Sequence, residues 1–178
     1  MTADAILTLT QKQRRVMTGV AGGFAYAVAV YAVGGWLVHV APVPSAGRLA
    51  FALPWLMAPG LVLFFLVTRV GNARFVDNVL MDGVAPPVGS RVDVDRRCLQ
   101  NTVEQFAFFA PAWLTLAMLL PDARLGLVPA LALSLAFARL AFWWGYRRAP
   151  TGRAFGFAAT LWPTILAYAW ALKLAFFG

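Results

Sequence analysis

Apolar residues gather into five long stretches, and charge is nearly confined to the gaps between them. Met17 to Val40 is a 24-residue run with no Asp, Glu, Lys or Arg, and Leu49 to Val67 is a second. Cys98 to Leu120, Leu125 to Tyr146 and Ala154 to Phe177 follow, and each of these carries a single charged residue, respectively Glu104, Arg139 and Lys173. At 1.5 Å of helix rise per residue, about 20 residues cross a hydrocarbon core of about 30 Å, so the pattern predicts five transmembrane helices. The gaps are rich in turn formers or charge: "APVPSAG", the polar stretch Gly71 to Arg97, "PDAR" and "RRAPTGR". Pro54, Pro59, Pro111 and Pro163 lie within or near spans and are expected to kink them.

The first run follows the basic segment "QKQRR". It is longer than the roughly 7 to 15 apolar residues of a signal-peptide core, so it reads as a retained span. Gly19 and Gly23 stand at GxxxG spacing on it, continuing through Ala25, Ala27 and Ala29, a face that lets another helix approach closely.

If the spans alternate in direction, Lys12, Arg14, Arg15, Arg69, Arg74, Arg91, Arg96, Arg97, Arg147, Arg148 and Arg153 lie on one side of the membrane. Arg48, Arg124 and Lys173 lie on the other. That bias places the N-terminus in the cytoplasm and the C-terminus outside.

Composition agrees: 61% of the chain is hydrophobic and 12% charged, with a mean hydropathy of +0.73, far more apolar than a soluble domain. The net charge of +8 does not point to nucleic acid, because its cations flank apolar spans where lipid headgroups and orientation account for them. A single cysteine, Cys98, excludes an internal disulfide and a cysteine-based metal cluster, and the lone His39 builds no metal site. Two lysines against thirteen arginines, with abundant alanine, suggest a GC-rich bacterial genome and hence a bacterial cytoplasmic (inner) membrane.

Charge inside a span is costly and marks either helix pairing or function. On the third span Arg97, Asn101 and Glu104 are spaced four and three apart, within about 60° of one helix face. On the fourth, Arg139, Phe142 and Tyr146 again share a face. The two spans run in opposite directions, so Glu104 and Arg139 both fall roughly 10 Å inside the cytoplasmic boundary. Arg153 opens the fifth span on that side, and Arg69 and Arg74 close the second. Two readings remain open: Glu104 and Arg139 form a buried ion pair that joins two helices, or the surplus cations await an anionic ligand entering from the cytoplasm, a task suited to the planar arginine fork.

"RRCLQNTVEQF" followed by "FARLAFWWGYRRAPTGR" resembles the MAPEG family, the membrane-associated proteins of eicosanoid and glutathione metabolism. The most specific parts are the Arg97, Asn101, Glu104 triplet and the residues Arg139, Tyr146 and Arg153 at successive intervals of seven, within a similarity spanning about Leu49 to Phe177. The resemblance implies an all-α integral membrane protein with a four-helix protomer over residues 47–178 and a cytoplasmic loop at 71–97; the leading span, within 1–46, has no counterpart in the four-helix family and is an extra N-terminal transmembrane helix. It also implies a homotrimer, with glutathione as co-substrate in a cytoplasm-facing site between subunits. By position, Arg97, Asn101, Glu104, Arg139 and Tyr146 would contact glutathione, Glu104 taking its ammonium group and the arginines its carboxylates. Arg69 or Arg74 would add a basic contact, and Arg153 would be the catalytic residue that stabilises the thiolate. Phe142 and Gln105 depart from the family pattern where aromatic or tyrosine side chains stand in some members.

The expected function is a glutathione-dependent transferase or peroxidase acting on lipophilic electrophiles or lipid hydroperoxides. The alternative is a non-catalytic MAPEG-like membrane subunit that binds lipid or serves a larger membrane complex, docked through the small-residue face of the first helix. A transporter is the weakest reading, since one isolated acid and no inverted repeat give little sign of a translocation path.

Overall fold

The structure is a computed structural model that describes residue 4 and residues 7–177, and the described residues are helical with no strand. The first helix, α1 (Leu9–Ala32), begins with a reciprocal cap. The Gln11 amide donates to Thr8 Oγ1 at 3.3 Å, and the Thr8 amide donates to Gln11 Oε1 at 2.9 Å. It runs on as a π-helical turn, Val33–Leu37, where Gly34 and Gly35 are buried. After a break come α2 (Arg48–Ala52), a 3-10 turn at Leu53–Leu56 and α3 (Met57–Phe75). Pro54 sits in that turn and Pro59 in the first turn of α3, where a missing amide proton breaks no helical bond. The short α4 (Asn78–Met81) is capped by Asp77, and α5 (Arg91–Leu119) by Ser90, whose hydroxyl accepts from the Asp93 amide. α6 (Leu127–Arg148), a 3-10 turn at Pro150–Arg153 and α7 (Ala154–Phe177) complete the chain.

Among the described residues five helical stretches are long and apolar enough to cross a membrane: Leu9–Leu37, Ser45–Phe75, Arg91–Leu119, Asp122–Arg148 and Pro150–Phe177. Helix extends further into the polar stretch 71–97 than hydropathy suggests, leaving 76–90 between the long helices. The extra turns carry arginines and aspartates and project past the apolar zone, where helix is limited by capping and not by hydrophobicity.

α6 is the central helix, with 67% of its most apolar window buried against 11% for α1. Leu127, Val128, Leu131 and Leu135 of α6 pack with Trp113 and Leu116 of α5, and the Trp113 indole N–H donates to the Val128 carbonyl at 2.8 Å. Lipid is as apolar as leucine, so close packing and polar bonds between helices must hold such a bundle together. α1 lies parallel along α7, and its glycines are the reason. A Cβ at Gly19 would stand 2.8 Å from the Ala154 Cβ, and one at Gly23 would stand 2.5 Å from the Ala158 Cβ. Gly19, Gly23 and Ala27 are thereby packed inside the chain, while Ala25 and Ala29 remain exposed on the other side of the helix. Tyr31 adds a hydroxyl bond to the Pro163 carbonyl at 2.9 Å. The start of α1 is also pinned: Asp4 accepts from the Thr151 amide at 2.7 Å and the Thr151 hydroxyl at 2.9 Å, and pairs with Arg15 at 3.4 Å.

Candidate functional site

The segment "GYRRAPTGR" turns α6 into α7 by laying Gly145 against Gly152, backbone on backbone, so that a Cβ on either would collide with the other's carbonyl. Ala149, extended at φ −159° and ψ 146° as a residue before proline prefers, makes the corner. The close crossing folds Arg153 back over Tyr146, its guanidinium carbon 4.6 Å from the ring centroid. Two residues seven apart in sequence thus become one cationic and aromatic unit.

Arg139 is buried, with 1% of its surface exposed. Its Nε donates to Thr102 Oγ1 at 3.1 Å, one terminal nitrogen to Asn101 Oδ1 at 3.0 Å and the other to Thr160 Oγ1 at 3.4 Å. Its guanidinium carbon lies 4.1 Å from the Phe142 ring centroid. The direct Glu104–Arg139 ion pair is not what forms. Glu104 points to the exposed flank of α5, where Gln100 Nε2 donates to it at 3.0 Å and Asn101 Nδ2 at 3.3 Å. Asn101 therefore joins acid and base, its oxygen on the arginine and its nitrogen on the carboxylate. The two charges do meet at one level, as their spacing from the helix ends requires.

Beside this relay lies a cavity of about 610 Å³ lined by Arg97, Asn101, Phe142, Tyr146, Thr151, Arg153 and Phe157, with Val16 and Val20 of α1 on one wall. Among the described residues two arginines line it and no acid does. Arg97 is paired with Asp93, so the unpaired positive charge at the polar end of the cavity is that of Arg153, and the lining is apolar along α1 and α7.

The cationic surplus is smaller than the residue count implies, because two buried aspartates at the start of α5 absorb much of it. Asp93 holds Arg97 at 3.0 Å and Arg96 at 3.4 Å, and its carboxylate also accepts from the Gly89 amide at 2.9 Å. Asp95 holds Arg69 at 3.3 Å and Arg147 at 3.8 Å, and accepts from the Trp143 indole at 2.8 Å. Arg69 is thereby committed to Asp95 and does not line the cavity, and Arg74 stands exposed on α3 away from it. Arg153 has no carboxylate within ion-pair distance among the described residues. Gln105 is buried with its Oε1 unpartnered and does not line the cavity. Of the residues the sequence nominates, the structure brings Arg97, Asn101, Tyr146 and Arg153 to one cavity, sets Arg139 and Glu104 behind Asn101, and leaves Arg69 and Arg74 outside.

Sequence reading passes over Val16 and Val20, Thr102 and Thr160, and the two aspartates. The Asp93 to Arg97 interval of four is a helical ion-pair spacing and was available as a signal. The threonines and valines carry no such signal, because they matter only through neighbours distant in sequence. Among the described residues no group of three or more His, Cys, Asp or Glu could hold a metal ion.

No curated protein and no solved structure matches the chain. A family model does match, over residues 52–173, which takes in α3 to α6, most of α7 and every residue of the cavity except the α1 valines. The chain belongs to the MAPEG family.

Proposed function

We propose that this cavity binds glutathione and that the protein is a glutathione-dependent transferase or peroxidase for lipophilic electrophiles or lipid hydroperoxides. The observation that carries the reading is Arg153, a cation that lines the cavity and, among the described residues, has no carboxylate partner and no acid beside it in the lining. Family membership supports it, since the family includes glutathione transferases and related proteins. Arg97 and Arg153 take the peptide's carboxylates and sulfur, Tyr146 and Asn101 give and accept hydrogen bonds, and Glu104 at the far side of Asn101 offers an anion to the ammonium group.

A free thiol has a pKa near 8.5, and an adjacent guanidinium lowers it, so more of the sulfur is thiolate at neutral pH. The thiolate attacks an electrophilic carbon to form a C–S bond, and the leaving group departs with the bonding electron pair. With a hydroperoxide, two glutathione thiols are oxidised to the disulfide while the peroxide is reduced to alcohol and water. Val16, Val20 and Phe157 provide the apolar wall along which such a substrate would lie. The same wall would hold an acyl chain, which supports the second reading, a non-catalytic lipid-binding subunit.

The purified protein is expected to gain thermal stability with millimolar glutathione and to conjugate a model electrophile. Arg153→Ala is expected to lower kcat/KM at least about tenfold and to move the thiolate limb of the pH–rate profile upward. Absence of both glutathione protection and turnover at millimolar thiol would reject this reading and leave the lipid-binding one.

A further inference from the structure

At the end of the bundle opposite the arginine-rich one, a second cavity of about 690 Å³ opens between α1 and α7. Val28, Tyr31, Ala32, Gly35 and Trp36 form one wall, Leu166, Ala169, Trp170 and Lys173 the other, and Arg124 closes the end. Half of its lining belongs to α1 and the turn after it, outside the matched family region. The site used for the proposed reaction shares no residue with it.

The groove is graded along the membrane normal. α1 and α7 are parallel, as the Gly19–Ala154 and Gly23–Ala158 contacts establish. Val28 and Leu166 therefore lie toward the middle of the bilayer, and Trp36, Lys173 and Arg124 toward the boundary. From Val28 to Trp36 the helix rises roughly 12 Å. Arg124 is held in place by donating to the Gly35 carbonyl at 2.7 Å, with its guanidinium carbon 3.5 Å from the Trp36 ring centroid. Neither Arg124 nor Lys173 has a carboxylate within ion-pair distance among the described residues. Two unneutralised cations and two tryptophans at the mouth of an apolar slot complement one occupant, an amphiphile with an anionic head and an alkyl tail.

We propose that this groove binds an anionic phospholipid, its phosphate between Arg124 and Lys173 and one acyl chain running down between Val28 and Leu166. The lipid would bridge α1 to α7 at the end where the glycine contacts have given way to larger side chains. This is a binding site for lipid of the leaflet at that end, separate from the proposed chemistry.

Native mass spectrometry from mild detergent, after incubation with equal phosphatidylglycerol and phosphatidylcholine, tests it. Wild-type protein is expected to retain phosphatidylglycerol preferentially, and Lys173→Gln about fivefold less of it, the effect of one cation at a lipid surface. Lys173 is exposed and has no carboxylate within ion-pair distance among the described residues, so Lys173→Gln is expected to leave the fold intact. Trp36→Ala is expected to weaken retention similarly, while Arg74→Gln, an exposed cation elsewhere, changes nothing. A photoreactive acyl chain should label Tyr31 or Trp170. Equal retention of both lipids, undiminished retention by Lys173→Gln, or an equal loss in Arg74→Gln would overturn the proposal.

Discussion

Arg139 satisfies its guanidinium with two threonine hydroxyls, an asparagine oxygen and a phenylalanine face, without a carboxylate. A buried cation with only neutral partners recovers little of its desolvation cost, so an apolar side chain of similar volume removes that cost together with the bonds. Its contribution lies in orienting Asn101, whose oxygen it occupies so that the amide nitrogen must turn to Glu104. Arg139→Met is therefore expected to keep thermal stability within about 1 kcal/mol of wild type or above it, while glutathione binds about tenfold more weakly through loss of an ordered charge-assisted bond. Thermal unfolding and calorimetry separate the two effects, and a large drop in stability with unchanged binding would contradict the positioning role. At this scale the sequence showed which residues carry charge and at what depth. It could not show that Asn101 would stand between Glu104 and Arg139, because that depends on the approach of α5 to α6.

Among the elements, α1 is the one whose placement matters most. It lies outside the family match, yet it supplies walls to both cavities through Val16 and Val20 at one end and Val28 to Trp36 at the other. Its GxxxG spacing announced a close helix contact, and only the fold chose α7 of the same chain as the partner. Its N-terminal anchor, Asp4 on Thr151, sits beside the turn that carries Arg153. Burial pushes the Asp4 carboxyl up, but the Thr151 amide and hydroxyl and the Arg15 and Lys12 charges outweigh it and hold the pKa below the ordinary 3.8. A folded-state pKa that is depressed contributes stability that is present above pH 3.8 and is lost as pH falls through the lower folded value. Asp4→Asn is expected to lower the melting temperature near neutral pH, with the gap from wild type closing on acidification below that range. A gap independent of pH would show that the carboxylate is not the anchor.

For the whole molecule, the distribution of arginines supports a cytoplasmic N-terminus. Cys98 is fully buried, so the native chain offers a low background for topology mapping. Asp82→Cys, in the stretch between α3 and α5, is expected to react with an impermeant maleimide only after the membrane is permeabilised, and Ser45→Cys to react in intact cells; the reverse pattern would invert the assignment. Glu104 supports assembly. An exposed carboxylate at that depth costs about 2.5 to 3.5 kcal/mol against lipid unless another subunit covers it. A homotrimer is the state we propose, and native mass spectrometry is expected to show three chains, whereas a monomer would refute it.

Hydropathy and charge alone determined the five spans and the level of each ionisable group, because the cost of bare polar backbone and of charge in hydrocarbon acts along the chain, one residue at a time. Spacing of three, four and seven fixed which side chains share a helix face, since that follows from the helical repeat. Tertiary structure decided which faces meet: that Gly145 crosses Gly152 to fold Arg153 over Tyr146, that Asp93 and Asp95 bind arginines the charge count had left free, and that α1 closes the cavity. Those outcomes depend on packing between segments far apart in sequence, where complementary shape and desolvation select one contact among many that composition permits.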